Sequence, residues 1–113
     1  TTVGASNATT VVQSAFGSAG SQAILDITGT GNTTSITQTG GYDQYANVKL
    51  NSGSNNNGIT VSQSGGNVSG QYATLDISGS NNTIGVTQQG SVDNLTNLKV
   101  SGGHNSFTIL QKN

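Results

Sequence analysis

Five asparagines, Asn7, Asn32, Asn57, Asn82 and Asn105, are each followed six residues later by a glutamine, at Gln13, Gln38, Gln63, Gln88 and Gln111. Successive asparagines stand 25, 25, 25 and 23 residues apart. No other feature restricts the fold so tightly, because self-similarity at a period of about 20–50 residues marks a solenoid or a stacked array. Between each pair the alternate places hold Thr9 and Val11, Thr34 and Ile36, Ile59 and Val61, Ile84 and Val86, Phe107 and Ile109. A period of two is the signature of a strand. It predicts strands over 7–13, 32–38, 57–63, 82–88 and 105–111, each with Asn, two mostly apolar side chains and Gln on one face.

A second set of strands is predicted between the first, over 21–27, 44–50, 71–77 and 94–100. Here Ala23, Leu25 and Ile27, then Ala46, Val48 and Leu50, then Ala73, Leu75 and Ile77, then Thr96, Leu98 and Val100 share a face. Their polar alternates take the other face, as in a sheet with one side buried. The segments joining the two sets are rich in Gly and Asn, residues that accept the positive φ many turns need. Gly40, Gly65 and Gly90, two places after a repeat glutamine, are assigned to these turns. Tyr42, Tyr45, Tyr72 and Phe16 lie in or beside turns, where their rings are expected to cover the edges of the arches.

Composition says how such units must be used. The chain has 113 residues, of which 30% are hydrophobic and 17 are Gly, with no Cys and no Pro. An ordinary globular core would be thin at this length. The few aliphatic side chains of one unit cannot offset the cost of ordering its backbone, so the units must stack. The expected fold is all-β: a single domain over residues 1–113, built as a β-solenoid or β-arch stack of about 4.5 strand–turn–strand repeats of ~25 residues, with two facing, parallel, in-register sheets.

Stacking gives the amides a purpose. An inward Asn or Gln can donate to the copy on one side and accept from the copy on the other, which satisfies it in a dry interior. A single buried amide without such partners would be costly. Charge follows the same register: the outward centre of the second strand reads Asp26, Lys49, Asp76, Lys99, so that each rung opposes the sign of its neighbours. Exposed pairs of this kind are expected to contribute ~0.2–1 kcal/mol each and to fix register more than stability.

Repeat strands lie close to both ends of the sequence with no helix or distorted coil to cap them, so both edges are expected to be open to another copy. Two complementary open edges make a heterologous contact that does not close, and such contacts build filaments. Lys99 of one copy is placed to meet Asp26 of the next. Nine predicted strands leave one sheet a strand short at each junction. Either the next copy enters rotated by half a turn, or part of the segment Ser14–Gln22 fills the gap.

The pattern N-x-[IT]-x-[VI]-x-Q, with Phe107 at the third place of the last copy, is followed by x-G in Gln38-Thr39-Gly40, Gln63-Ser64-Gly65 and Gln88-Gln89-Gly90, then by a strand with Ala23, Ala46 or Ala73 at its third place. This combination resembles the curlin repeat of bacterial curli subunits from Asn7 to Gln111. The chain departs from that repeat where its second strand opens, at Ser21, Gln44, Gln71 and Asn94, and where it closes, at Ile27, Leu50, Ile77 and Val100. The resemblance implies a secreted subunit that polymerises with itself head to tail as a functional amyloid of the biofilm matrix. It also implies an extracellular, cell-surface fibre, with a nucleator subunit and outer-membrane secretion machinery as partners. A chain beginning at Thr1 fits a mature form from which a signal has been removed.

Other function classes find less support. A formal net charge of −1 with three scattered Lys offers no nucleic-acid surface. No apolar run approaches the ~20 residues of a membrane span, so membrane insertion is not expected. His104 is the single His and lies in a turn, and Asp43 and Asp93 lie in turns about two rungs apart, so neither a metal site nor an acid–base pair is expected and no cofactor is called for. The chain is not expected to be an enzyme. The alternative is a monomeric surface-binding solenoid, an ice-binding protein or adhesin, using outward hydroxyl columns of Thr10, Ser35, Thr60 and Thr108 and of Thr37, Ser62 and Thr87, which Gly58 and Gly85 interrupt.

Overall fold

The computed structural model describes residues 1–14, 20–65 and 70–113. Its strands are β1 (Thr2–Val3), β2 (Ala8–Ser14), β3 (Gln22–Thr28), β4 (Thr33–Thr39), β5 (Gln44–Leu50), β6 (Gly58–Gly65), β7 (Gln71–Ser78), β8 (Thr83–Gly90), β9 (Asn94–Ser101) and β10 (Ser106–Lys112). Odd-numbered strands form one five-stranded sheet in the order β1-β3-β5-β7-β9, and even-numbered strands form the other. Every described pairing is parallel. The protein is therefore an all-β solenoid of stacked strand–turn–strand rungs with two parallel sheets.

The core is the space between the sheets, and it is built in columns. Ile36, Val61 and Val86 stack in the even sheet, facing Val48 and Leu75 of the odd sheet, and all are at most 1% exposed. Leu50 and Ile77 continue the odd-sheet lining, and Ala46 and Ala73 fill the narrow places beside them. Each fully buried aliphatic side chain contributes about 1.5–3 kcal/mol. A one-residue slip in any strand would turn its aliphatic and amide positions outward.

Strands of the even sheet begin one residue later than the pattern of the sequence predicts, and the cause is local. The residue before each repeat asparagine, Ser6, Gly31, Asn56, Asn81 or His104, has φ between 55° and 68°. The asparagine that follows leaves this left-handed turn with its backbone N–H bonded to a side chain: Asn57 N donates to Asn32 Oδ1 at 3.0 Å, and Asn82 N to Asn57 Oδ1 at 2.9 Å. The backbone ladder starts only at the asparagine carbonyl, which accepts from Ala8, Thr33, Gly58 or Thr83 of the preceding rung at 2.8 Å.

The nine strands expected become ten among the described residues. Thr2 and Val3 pair with Ile27 and Thr28, so the segment before Asn7 is part of the odd sheet. The offset of this pairing, 25 residues, is that of β2 on β4, β4 on β6 and β6 on β8, and Gly4 repeats Gly29. Two residues are too short to show an alternation, which is why the periodicity passes over β1. The aromatic assignments also change. Tyr45 and Tyr72 lie within β5 and β7 on the outer face of the odd sheet, rings 6.4 Å apart and tilted by 38°, because the pleat sends the second residue of each strand outward. Tyr42 is exposed in the preceding turn, and Phe16 lies outside the described residues.

Leu75→Ala, in the middle of the column-built core, is expected to lower stability by about 2–5 kcal/mol in urea unfolding. Leu95→Ala, 70% exposed on the neighbouring strand, should change it by no more than ~0.5 kcal/mol.

Candidate functional site

The asparagine and glutamine columns bracket the aliphatic core. In the asparagine column each Nδ2 donates to Oδ1 of the preceding rung: Asn32 to Asn7 at 3.1 Å, then Asn57 to Asn32, Asn82 to Asn57 and Asn105 to Asn82 at 3.0 Å each. The second Nδ2 hydrogen goes to a turn carbonyl of the next rung, from Asn7 to Gly29, Asn32 to Ser54, Asn57 to Gly79 and Asn82 to Gly102. With the backbone N–H of the next asparagine also bonded to its Oδ1, an inner Asn uses both donors and both lone pairs.

The glutamine column runs in the opposite sense. Gln13 Nε2 donates to Gln38 Oε1 at 2.7 Å, and Gln38 to Gln63, Gln63 to Gln88 and Gln88 to Gln111 follow at 2.8 Å each. Each Nε2 also reaches across to a backbone carbonyl of the odd sheet, such as Gln22 from Gln38 and Tyr45 from Gln63. The glutamines thus tie the two sheets together at the mouth of each arch. Asn32, Asn57 and Asn82 are buried, as are Gln38, Gln63 and Gln88.

At the ends of the stack the same columns reach solvent. Val11 continues the Ile36–Val61–Val86 column but is 41% exposed, and Phe107 continues the Thr34–Ile59–Ile84 column at 40%. All seven residues of β2 are exposed. These are core-type side chains whose cover on one side is missing among the described residues.

A third amide column escaped the reading of the sequence as a site. Gln44, Gln71 and Asn94 open successive odd strands in register and are 1%, 0% and 6% exposed. They do not bond to one another. Gln44 Nε2 donates to Gly40 O at 2.7 Å, Gln71 Nε2 to Ser64 O at 2.8 Å, and Asn94 Oδ1 accepts from Asn113 Nδ2 at 3.0 Å. The column pins the arcs that follow the glutamines. Its signal is the recurring amide two places before the inward Ala46, Ala73 or Thr96 of each second strand. This also changes the role of Gly65, which ends β6 without a positive φ. A Cβ there would stand 2.7 Å from Gln71 Nε2, so the position needs space rather than turn geometry. Gly40, with φ 65°, does take a turn conformation, and a Cβ on Gly90 would collide with the Asn113 side chain.

Asp26, Lys49, Asp76 and Lys99 are neighbours in register. They close no ion pair among the described residues. Asp76 instead accepts from Asn51 Nδ2 at 2.6 Å, and the exposed lysines remain solvated. The column orders signs along the rungs without contact pairs.

The outward hydroxyl columns stand as the alternation predicts: Thr10, Ser35, Thr60, Gly85 and Thr108 align, and Thr37, Ser62 and Thr87 are flanked by Val12 and Leu110. His104 is exposed in its turn, and no group of three His, Cys, Asp or Glu that could hold a metal occurs among the described residues. An open depression of 360 Å³ over the arcs is lined by Thr39, Ser64, Gly65, Gln89 and their neighbours, with no titratable side chain among them.

What remains is a period, a parallel register and paired amide columns, and comparison with known families adds one finding. Residues 54–90 match the curlin associated repeat. The match runs from the turn before β6 to the end of β8, one rung and the even strand of the next, and so includes Asn57, Gln63, Asn82 and Gln88. Neither a curated protein nor a solved structure matches the chain. The curlin-repeat identity suspected from the pattern thus has support over the centre of the chain, and the remaining rungs share that centre's geometry by register.

Gln63→Leu keeps the volume while stranding the Gln38 donor and the Gln88 acceptor, and should cost about 2–6 kcal/mol in urea unfolding. Gln13→Leu, on the exposed first rung, strands the Gln38 acceptor alone and should cost less, about 1–3 kcal/mol. Lys49→Gln is expected to shift stability by less than ~0.5 kcal/mol at any salt concentration, as befits a column without contact pairs; a larger, salt-sensitive loss would show that the ladder closes.

Proposed function

We propose that this chain is a secreted structural subunit that assembles head to tail into curli-like amyloid fibres of the extracellular matrix. The observation that carries the reading is the continuity of the columns. Asn, apolar and Gln positions run through the rungs and end at both faces of the stack on residues that are no longer fully buried, Asn7, Val11 and Gln13 at one and Asn105, Phe107 and Gln111 at the other. A copy docked on either face would bury Val11 or Phe107, extend the backbone ladder of the even sheet and reproduce the edge that it covered. The match of the central rungs to the curlin associated repeat supports the same reading. It makes a cell-surface location, a nucleator subunit and an outer-membrane secretion apparatus the natural context, and the role is that of a scaffold rather than an enzyme.

A monomeric surface-binding solenoid is the second reading, and the aligned hydroxyls of the even sheet are the observation in its favour. The Gly85 break, together with Val12 and Leu110 bordering the second column, makes that face less uniform than the columns of the interior.

Electron microscopy of the purified chain should show unbranched fibres, with a strand repeat of about 4.7–4.8 Å along the axis by diffraction. The double variant Gln63→Lys and Gln88→Lys, which buries two charges without partners, should abolish growth. A chain that stays dispersed at every concentration, with thermal hysteresis in cold solution, would favour the surface-binding reading instead.

A further inference from the structure

The two amide columns are polar, and they point in opposite directions. Along the asparagine column every amide-to-amide bond is donated towards the first rung; along the glutamine column every such bond is donated towards the last. Each face of the stack therefore carries one unused acceptor and at least one available donor at defined places. On the last rung, Asn105 Oδ1 accepts nothing from the described residues, and Gln111 Nε2, bonded only to Leu95 O at 3.1 Å, has a second hydrogen to give. On the first rung, Gln13 Oε1 accepts nothing from the described residues, and Asn7 Nδ2 makes one good bond, to Gly29, and one at 3.4 Å to Val3.

From this pattern we infer that copies join by translation along the stack, β2 of one on β10 of the last, with no half-turn between them. The inference rests on the assembly reading above and fixes its junction. Under translation, Asn7 of the incoming copy donates from N and Nδ2 to Asn105 Oδ1, as Asn32 does to Asn7 inside the chain. Gln111 Nε2 donates to the incoming Gln13 Oε1, as Gln88 does to Gln111.

A third pair completes the fit. Inner asparagines give their second Nδ2 hydrogen to a turn carbonyl one rung ahead, and the carbonyl one rung ahead of Asn105 is that of the incoming Gly4. The glycines of this column are packed against the next turn: a Cβ on Gly4 would strike Gly29 O, and one on Gly79 would strike Gly102 O. Gly102, at the same place on the last rung with φ 101°, meets only Asn105 Nδ2 at 3.8 Å. Its open side is the place for the incoming Gly4 carbonyl.

The alternatives fail on the same atoms. A half-turn places β2 on β9, so that Gln13 lies over Val100 and Gln111 faces the partnerless end of Ile27, and both glutamines are buried against apolar neighbours. It must also displace β1 from β3. Joining like faces sets acceptor against acceptor at Asn105, or at Gln13. Translation keeps β1, which then covers Val100 and Ser101 and leaves the edges of Asn94–Lys99 and of the incoming Gln22–Asp26 facing across a short interruption of the odd sheet. Thr1 stands in the charge column there, between Lys99 and the incoming Asp26, so these two do not become direct neighbours.

The chain has no cysteine, which makes labelling straightforward. Thr10 and Thr108 are exposed and share an outward column at opposite ends of the even sheet. Fibres grown from equal parts of pyrene-labelled Thr10→Cys and Thr108→Cys should show strong excimer emission, and fibres from Thr10→Cys with Asn97→Cys should show none. The reverse result would establish the half-turn and overturn the inference while leaving fibre assembly intact; fibres with neither signal would overturn it also. Disulfide cross-linking of the unlabelled variants, read as covalent dimers, repeats the test without the bulk of the dye. If the unsubstituted chain forms no fibres, the assembly reading itself fails, and this junction falls with it.

Discussion

A buried primary amide has two hydrogens and two lone pairs to place, and in this protein that requirement settles the geometry of everything else. Asn57 meets it in full, with bonds to Asn32, Gly79 and the backbone and side chain of Asn82. No other parallel pairing of the same strands would do so. The partner of each amide is the amide of the next rung, at the separation of neighbouring strands, and a shift of one residue sets it against a threonine or glycine facing the wrong way. Aliphatic columns supply most of the burial, yet Ile59 would pack as well against Val86 as against Ile84. The apolar core makes the stack stable, and the amides make it unique.

The same requirement accounts for features that at first look incidental. A left-handed residue before each repeat asparagine turns its N–H towards a side-chain oxygen instead of a backbone one, so the position before it takes Ser, Gly, Asn or His, mostly residues that tolerate positive φ. The glycine three places before most of those asparagines exists because the next turn carbonyl, held by the asparagine amide, passes where a Cβ would be. Turn sequence, strand boundary and ladder are three views of one set of hydrogen bonds.

Most of this was legible without coordinates, because a repeat writes its contacts into the sequence as positions separated by the period. Asn, Gln and the alternating aliphatics were identified as columns from spacing alone, and the parallel two-sheet architecture followed. What the spacing did not carry was direction. Nothing in N-x5-Q says that asparagines donate towards the first rung and glutamines towards the last, since an amide is symmetric in the one-letter code. Nor did the pattern distinguish Gly65, which makes room for a side chain, from Gly40, which makes a turn. In the Asp–Lys column sign alternation reports register, while contact depends on competitors such as Asn51 for Asp76.

The period itself is less fundamental than it looks. Within strands the spacing from Asn to Gln is always six, as is that from Ser21 to Ile27, Gln44 to Leu50, Gln71 to Ile77 and Asn94 to Val100. The arcs vary: Gln13 to Ser21 and Gln63 to Gln71 span eight places, Gln38 to Gln44 and Gln88 to Asn94 six, and the return arcs into Asn32, Asn57, Asn82 and Asn105 span five, seven, five and five. A long arc is balanced by a short one in the first three rungs, which gives 25, and is left unbalanced in the last, which gives 23, yet Asn105 and Gln111 bond to Asn82 and Gln88 as the earlier rungs do. The invariant is thus the distance between the two amides of one strand, fixed by the width of the core they bracket. The loops are free to change length so long as each strand returns to the same place above the last, and the chain can vary its exposed arcs while keeping every rung equivalent to the one an incoming copy would have to match.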